Sequence, residues 1–245
     1  MEARQEQRAR FGGKKGPSPN LDLLRPSVAL RGILALVLAS LAVPALVLNL
    51  LLLPDDATRE ALLAGKNIDE AALSRFYDSR ARVEAFHATK DVLSDLALAS
   101  IQKAEAAGVQ TEAGKAAINE ARAWQLRALQ ASPADAFGWS RLVYLFLLSN
   151  DAMATLAPQA LAYEIETAPY EPALMVRRLG TALYLSDKLD PDIRATLPDM
   201  MRAAWKLYPD EVEKVAKAQN AFDRLLEALR ASPDTAELLK KWRGL

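Results

Sequence analysis

Cysteine is absent from all 245 residues, which removes disulfides, thiolate nucleophiles and cysteine-ligated zinc or iron–sulfur centres together. It leaves the redox compartment open, because a cysteine-free chain is compatible with either side of a membrane. Charge of one sign is not in excess. Lys+Arg and Asp+Glu both number 31, whereas a chain built to bind nucleic acid along its body carries a basic surplus. Aromatic residues are only 7% and show no exposed platform, which weighs against a sugar-binding surface. Glycine and proline are scarce, at 10 and 13, while Ala, Leu, Glu, Lys and Arg dominate and favour helix by intrinsic propensity. No Walker loop, dinucleotide fingerprint, nucleophile elbow or kinase set occurs, so no enzyme, cofactor or metal site is expected.

What is present begins with an asymmetry. Residues 1–31 hold Arg4, Arg8, Arg10, Lys14, Lys15, Arg25 and Arg31 against Glu2, Glu6 and Asp22, a net charge of +4. Their Gly, Pro, Ser and Lys content around Phe11–Asn20 predicts a disordered basic tail. Directly after Arg31 come 22 residues without a charge, Gly32 to Leu53. As helix this run reaches about 33 Å, against roughly 30 Å for a bilayer core. Ser40 can bond its own helix carbonyls, Asn49 falls one turn from the exit, and a kink at Pro44 is tolerated in membrane spans. A signal peptide cleaved after Ala42 is the rival, but it would leave an apolar mature N-terminus. The basic flank on one side and Asp55-Asp56 on the other predict a cytoplasmic N-terminus. Residues 32–53 are thus expected to anchor the chain in a bacterial inner membrane by a single pass, with the C-terminal part in the periplasm.

Beyond Leu53 the chain reads as helix after helix, without strand alternation. Residues 54–110 form a long amphipathic helical segment; within it Ile68–Ala107 is periodic, one helix or two abutting ones, with Leu73, Phe76, Val83, Phe86, Leu93, Leu96 or Ala97, and Ile101 on one face. Another helix starts near Thr111. From there to residue 245 the sequence repeats itself. "RALQASP", "RAAWKLYP" and "EALRASP" each end a helical phrase on a proline, with Ala128, Ala204 and Ala228 five residues earlier. The small residue admits a neighbouring helix, and the proline pushes the residue before it out of the α region. An acid follows each time (Asp135, Asp210, Asp234), placed to favour the next helix N-terminus. Independently, Ser140–Asp151 matches Arg177–Lys188 at an offset of 37, pairing Arg141 with Arg178 and Leu142 with Leu179. Units of this length made of two helices imply a stack.

Ala121, Ala128, Pro133, Trp139, Leu142 and Phe146, followed by Leu179-Gly180, resemble the tetratricopeptide-repeat pattern. Val143 stands where glycine is usual, and Pro209 to Pro233 is too short for a full unit. The phrases "SPADAFGWSRL" and "APYEPALMVRRL", after an N-terminal anchor, also resemble VpsP-like polysaccharide biosynthesis proteins. The first resemblance implies an all-α repeat domain over residues 111–245 whose groove positions are Ser140, Tyr144, Arg177, Thr181 and Tyr184. The second implies accessory work in exopolysaccharide synthesis or export. Tyr144 lies in the all-apolar "LVYLFLL" and is expected in the core; Ser140, Arg177, Thr181 and Tyr184 remain as partner-binding residues. Arg177 and Arg178 project about 100° apart; Arg178, which repeats Arg141, is expected to do structural work.

His87 with Glu84 and Asp91 on one helical face is read as a solvated cluster, because a metal needs at least one further good ligand. Pro191 spoils a calcium loop at Ser186–Asp192, where Asp190 or Asp192 is better read as a helix cap. The function expected is an anchored helical-repeat scaffold that docks envelope proteins, possible partners being polysaccharide assembly machinery. The alternative is a glycan-binding or glycan-processing envelope protein.

Overall fold

The computed structural model describes residues 26–52, 55–149 and 152–243. Among these, all regular structure is helical: α1 (Pro26–Leu52), α2 (Asp56–Leu63), α3 (Glu70–Glu84), α4 (Lys90–Ala107), α5 (Glu112–Ala131), α6 (Ala136–Leu148), α7 (Ala157–Thr167), α8 (Pro172–Tyr184), α9 (Pro191–Ala195), α10 (Leu197–Leu207), α11 (Pro209–Ala218), α12 (Phe222–Arg230) and α13 (Pro233–Arg243). Residues 1–53 and 54–245 are two separate compact units.

In the first unit α1 starts at Pro26, inside the stretch expected as tail, because proline is preorganised for the first helical position. The rest of that tail, residues 1–25, lies outside the described residues. α1 runs without a break through Pro44, and the Ser40 hydroxyl donates to the Val37 carbonyl at 2.7 Å. Ile33, Leu36, Val37 and Leu46 are exposed. The longest run of α1 with described side chains is residues 29–40. Among the described residues no helix is long and apolar enough to cross a membrane, so the spanning reading of 32–53 continues to rest on the sequence.

In the second unit the helix boundaries follow local chemistry. Asp69, Thr89, Thr111 and Asp190 each cap the helix after them, accepting from the amides of Ala72 (2.8 Å), Val92 (3.3 Å), Gly114 (3.0 Å) and Asp192 (2.9 Å). The Thr89 cap corrects one expectation. Ile68–Ala107 holds two abutting helices, α3 and α4, one of the two forms expected, but α3 stops at Glu84, so Phe86 is 86% exposed in a turn instead of sharing the buried face. His87 lies in that same turn and is exposed. Two of the three expected proline terminators, Pro133 and Pro209, work as expected, whereas before Pro233 helix α12 already ends at Arg230 with Ala231 still in the α region. Ser132, Ala168 and Tyr208, each just before a proline, leave the helical region with φ between −153° and −138° and ψ between 59° and 80°. Their amides bond back to the carbonyls of Ala128, Glu164 and Ala204. Pro169 is thus a further terminator, with Glu164 in the place held elsewhere by alanine.

Helices pair and stack in order: α4 with α5, α6 with α7, α8 with α10, α11 with α12, and α13 against the last pair. The core comes in successive clusters. Phe76 and Ala99 centre one, Ile101, Ile118 and Leu145 the next, then Leu142, Phe146 and Leu161, and finally Leu179, Trp205, Leu225 and Leu229. Burial of each Leu or Phe stabilises by about 1.5–3 kcal/mol. α8 belongs to two clusters at once, through Ala182 (with Leu185 just past its C-terminus) on one side and Leu179 and Leu183 on the other. The 37-residue match holds in burial too: Leu142 and Leu179, Phe146 and Leu183, Ser149 and Ser186 are all buried. Beside the first cluster is a buried charge network. Arg80 donates to Asp95 at 3.3 Å and to Asp55 at 3.0 Å, while Arg59 donates to Asp95 at 2.8 Å. It ties α2, α3 and α4 together.

Candidate functional site

The first helices of three successive pairs, α4, α6 and α8, together with α2, line a cavity of about 650 Å³. Leu62, Leu63, Leu98 and Phe137 make an apolar wall; Gln102, Glu105, Arg141, Tyr144 and Arg177 supply the polar groups. The stacking places them. Arg141 and Arg177 stand on the inner sides of consecutive first helices, and α2 closes the end because its Leu62 is buried against α3 and α4.

The two arginines are held differently from the arginine beside them. Arg178, 2% exposed, donates to the Glu164 carboxylate at 3.2 Å and to the Pro169 carbonyl at 2.9 Å. Burial pushes Glu164 above the usual carboxyl range, although Arg178 and a hydrogen bond from Ser140 pull it down. Ser140 is therefore buried in a structural network and does not line the cavity. Its expected place in the groove is corrected, because α6 turns it towards α7. Arg178 has the structural task expected of it, but its counterpart Arg141 does not share it. Arg141 lines the cavity, and its only side-chain partner among the described residues is the neutral Oε1 of Gln125, at 2.9 Å. Burial lowers its pKa; Asp135 and Asp95 pull the other way, and Arg177 adds to the lowering. Both acids are engaged elsewhere, Asp95 by Arg59 and Arg80 and Asp135 by Lys90 at 3.6 Å.

Arg177 is exposed, lines the cavity, and has no side-chain ion pair or hydrogen bond among the described residues. Thr181 follows one turn on, its hydroxyl bonded to the Arg177 carbonyl at 3.0 Å, and Tyr184, 65% exposed, continues that face. Neither lines the cavity. Tyr144 corrects a second expectation. It is 41% exposed at the cavity edge, and its Oη donates to Glu105 at 2.8 Å. Partial burial and that carboxylate push its phenol up to about 12, so at neutral pH it stays a donor.

No known family, curated protein or solved structure matches the chain. The chemistry must be read from the side chains. Among the described residues no group of three His, Cys, Asp or Glu is placed to hold a metal ion. Tyr144 and Glu105 form a neutral donor and its acceptor. Two guanidinium groups beside an aliphatic wall are equipped for recognition. Arg141 and Gln125 went unrecognised in the sequence. The one signal was that Gln125, unlike Glu164, brings no charge to the helix packed against its arginine.

Proposed function

We propose that the chain is a membrane-anchored helical-repeat scaffold, held in the bilayer through residues 32–53, with its repeat domain outside the cytoplasm docking envelope proteins. Its setting would be a bacterial inner membrane and its task accessory to polysaccharide synthesis or export. The observation that carries the scaffold reading is the cavity shared by α2, α4, α6 and α8, whose Arg141 and Arg177 have no carboxylate partner among the described residues. Apolar side chains exposed along α1 support the anchor, since such a helix is stable where lipid covers it. The tetratricopeptide-like phrasing of Pro133, Pro209 and their alanines supports repeat-type docking.

The test is a photo-crosslinking residue placed at Tyr184, in cells, with a reporter active only outside the cytoplasm fused after Leu245. The reporter should be active, and irradiation should yield a discrete protein adduct that survives protease-free purification from membranes. An adduct with glycan and none with protein would favour the carbohydrate-binding alternative. An inactive reporter would overturn the location.

A further inference from the structure

The stack contains an internal comparison that bears on what occupies the cavity. Arg141 and Arg178 are equivalents at an offset of 37, and each lies against the second helix of a pair. Arg178 meets a carboxylate there, Glu164, and is closed off at 2% exposure. Arg141 meets an amide instead. Gln125 is fully buried, its Oε1 accepts from Arg141, and its Nε2 has no hydrogen-bond partner among the described residues. That arrangement is costly, because a buried donor without an acceptor has lost its hydrogen bonds to water and gained none in return. A glutamate would remove the orphan donor and neutralise the arginine, as happens in the next unit. The amide fixes the guanidinium in position without a counter-charge, and Arg177, on α8, adds a second cation with no ion pair among the described residues.

From this we infer that the cavity captures a carboxylate of an acidic protein segment, gripped by Arg141 and Arg177, with Gln125 as the positioning residue that keeps Arg141 unpaired. The inference rests on the scaffold reading and names its partner's chemistry. The wall beside the arginines decides for a protein segment. Leu62, Leu63, Leu98 and Phe137 offer aliphatic and aromatic carbon with few donors and acceptors, which suits an acidic residue flanked by a leucine or valine. An anionic glycan carries hydroxyls on every ring and would strand them against that wall. The volume, about 650 Å³, is in the range of sites that hold a few residues. Tyr144 and Gln102 at the edge supply donors and acceptors for the backbone of an extended segment.

The experiment uses the full-length chain in nanodiscs and fluorescence anisotropy. The probe is a labelled Leu-Glu-Leu-Glu-Leu peptide; its Leu-Gln-Leu-Gln-Leu amide is the neutral control and an oligoglucuronate the glycan arm. The acidic peptide should bind at least about tenfold more tightly than the neutral one, as loss of charged hydrogen bonds implies. Arg177→Ala should weaken it by a similar factor. Gln125→Glu is the decisive variant, since it is isosteric, keeps Arg141 and pairs it internally. It should hold or raise the thermal midpoint while weakening the acidic peptide by about tenfold. Equal binding of acidic and neutral peptides, absence of binding by both, or undiminished binding by Gln125→Glu or Arg177→Ala would overturn the assignment. Tighter binding of oligoglucuronate than of the acidic peptide would replace the protein segment with a glycan. A protein adduct at Tyr184 alongside any of these failures leaves the scaffold standing and removes only this chemistry.

Discussion

Arg177 and Arg178 are neighbours in sequence with opposite surroundings, and their substitutions should separate cleanly. Arg178→Ala would leave Glu164 buried without its cation, and Glu164→Ala would strand Arg178. Removing one partner of a buried pair costs about 3–5 kcal/mol, so either variant should lower the denaturant midpoint strongly. Arg177→Ala, at an exposed position, should stay within about 0.5 kcal/mol of the parent. Equal losses at both positions would mean that Arg177 is tied into the fold. Asp234 makes a pH prediction. Lys206 and then Ser232 bond its carboxylate and lower its pKa from 3.8 to about 2. A depressed folded pKa contributes stability above the unfolded value, and that contribution is lost as pH falls from about 4 towards 2. A carboxyl-detected NMR titration should place the Asp234 midpoint near 2, and Lys206→Met should return it towards the ordinary range. A midpoint near 4 in the parent would remove the ion pair from the account.

Turns and terminators set the geometry of single elements, and glycine shows where they are tightest. A Cβ on Gly114 would come within 2.1 Å of the Gly108 carbonyl oxygen, in the turn where Gly108 has φ +82°. Gly114→Ala must therefore shift backbone, and a loss of about 1–3 kcal/mol is expected in thermal unfolding, as for other overpacked sites. Ala204→Leu, at a 1% exposed contact between α10 and its neighbours, should cost a similar amount. An unchanged midpoint in either variant would mean the contact is looser than described. Much of this level was legible in advance. Prolines 133 and 209 announced helix ends because the X-Pro restriction is local, and Thr111 announced a helix start for the same reason. Pro169 was hidden, because Glu164 replaces the alanine that marks the other terminators. The turn at Phe86 was missed because a three–four spacing of apolar residues continues across it, and only the Thr89 cap signals the break. Tyr144 and Arg141 were misassigned for a different reason. Periodicity gives the face of a helix but not whether that face meets a core or a cavity.

For the molecule as a whole, the division of the core into successive clusters decides how it should fail. Leu229→Ala removes a side chain from the cluster shared by α8 and α10–α13, at a cost of about 2–5 kcal/mol. Hydrogen exchange should then accelerate in those helices and stay unchanged in α3 and α4, as expected when units bury their faces only against neighbours. Acceleration of equal size in every helix would show a single cooperative unit instead. Fold class was readable at this scale because helix propensity and repeat phrasing are sums over many residues. The cavity was not, since it exists only where three first helices and α2 meet.

The double membership of α8 has a further meaning. The helix that presents Arg177 to the cavity also contributes Leu179 and Leu183 to one cluster and Ala182 to the other. Anything that grips Arg177 therefore steadies a shared wall rather than a single room. A bound segment would slow amide exchange in α10 and α12, which it never touches, and the far end of the stack would register occupancy of the near one.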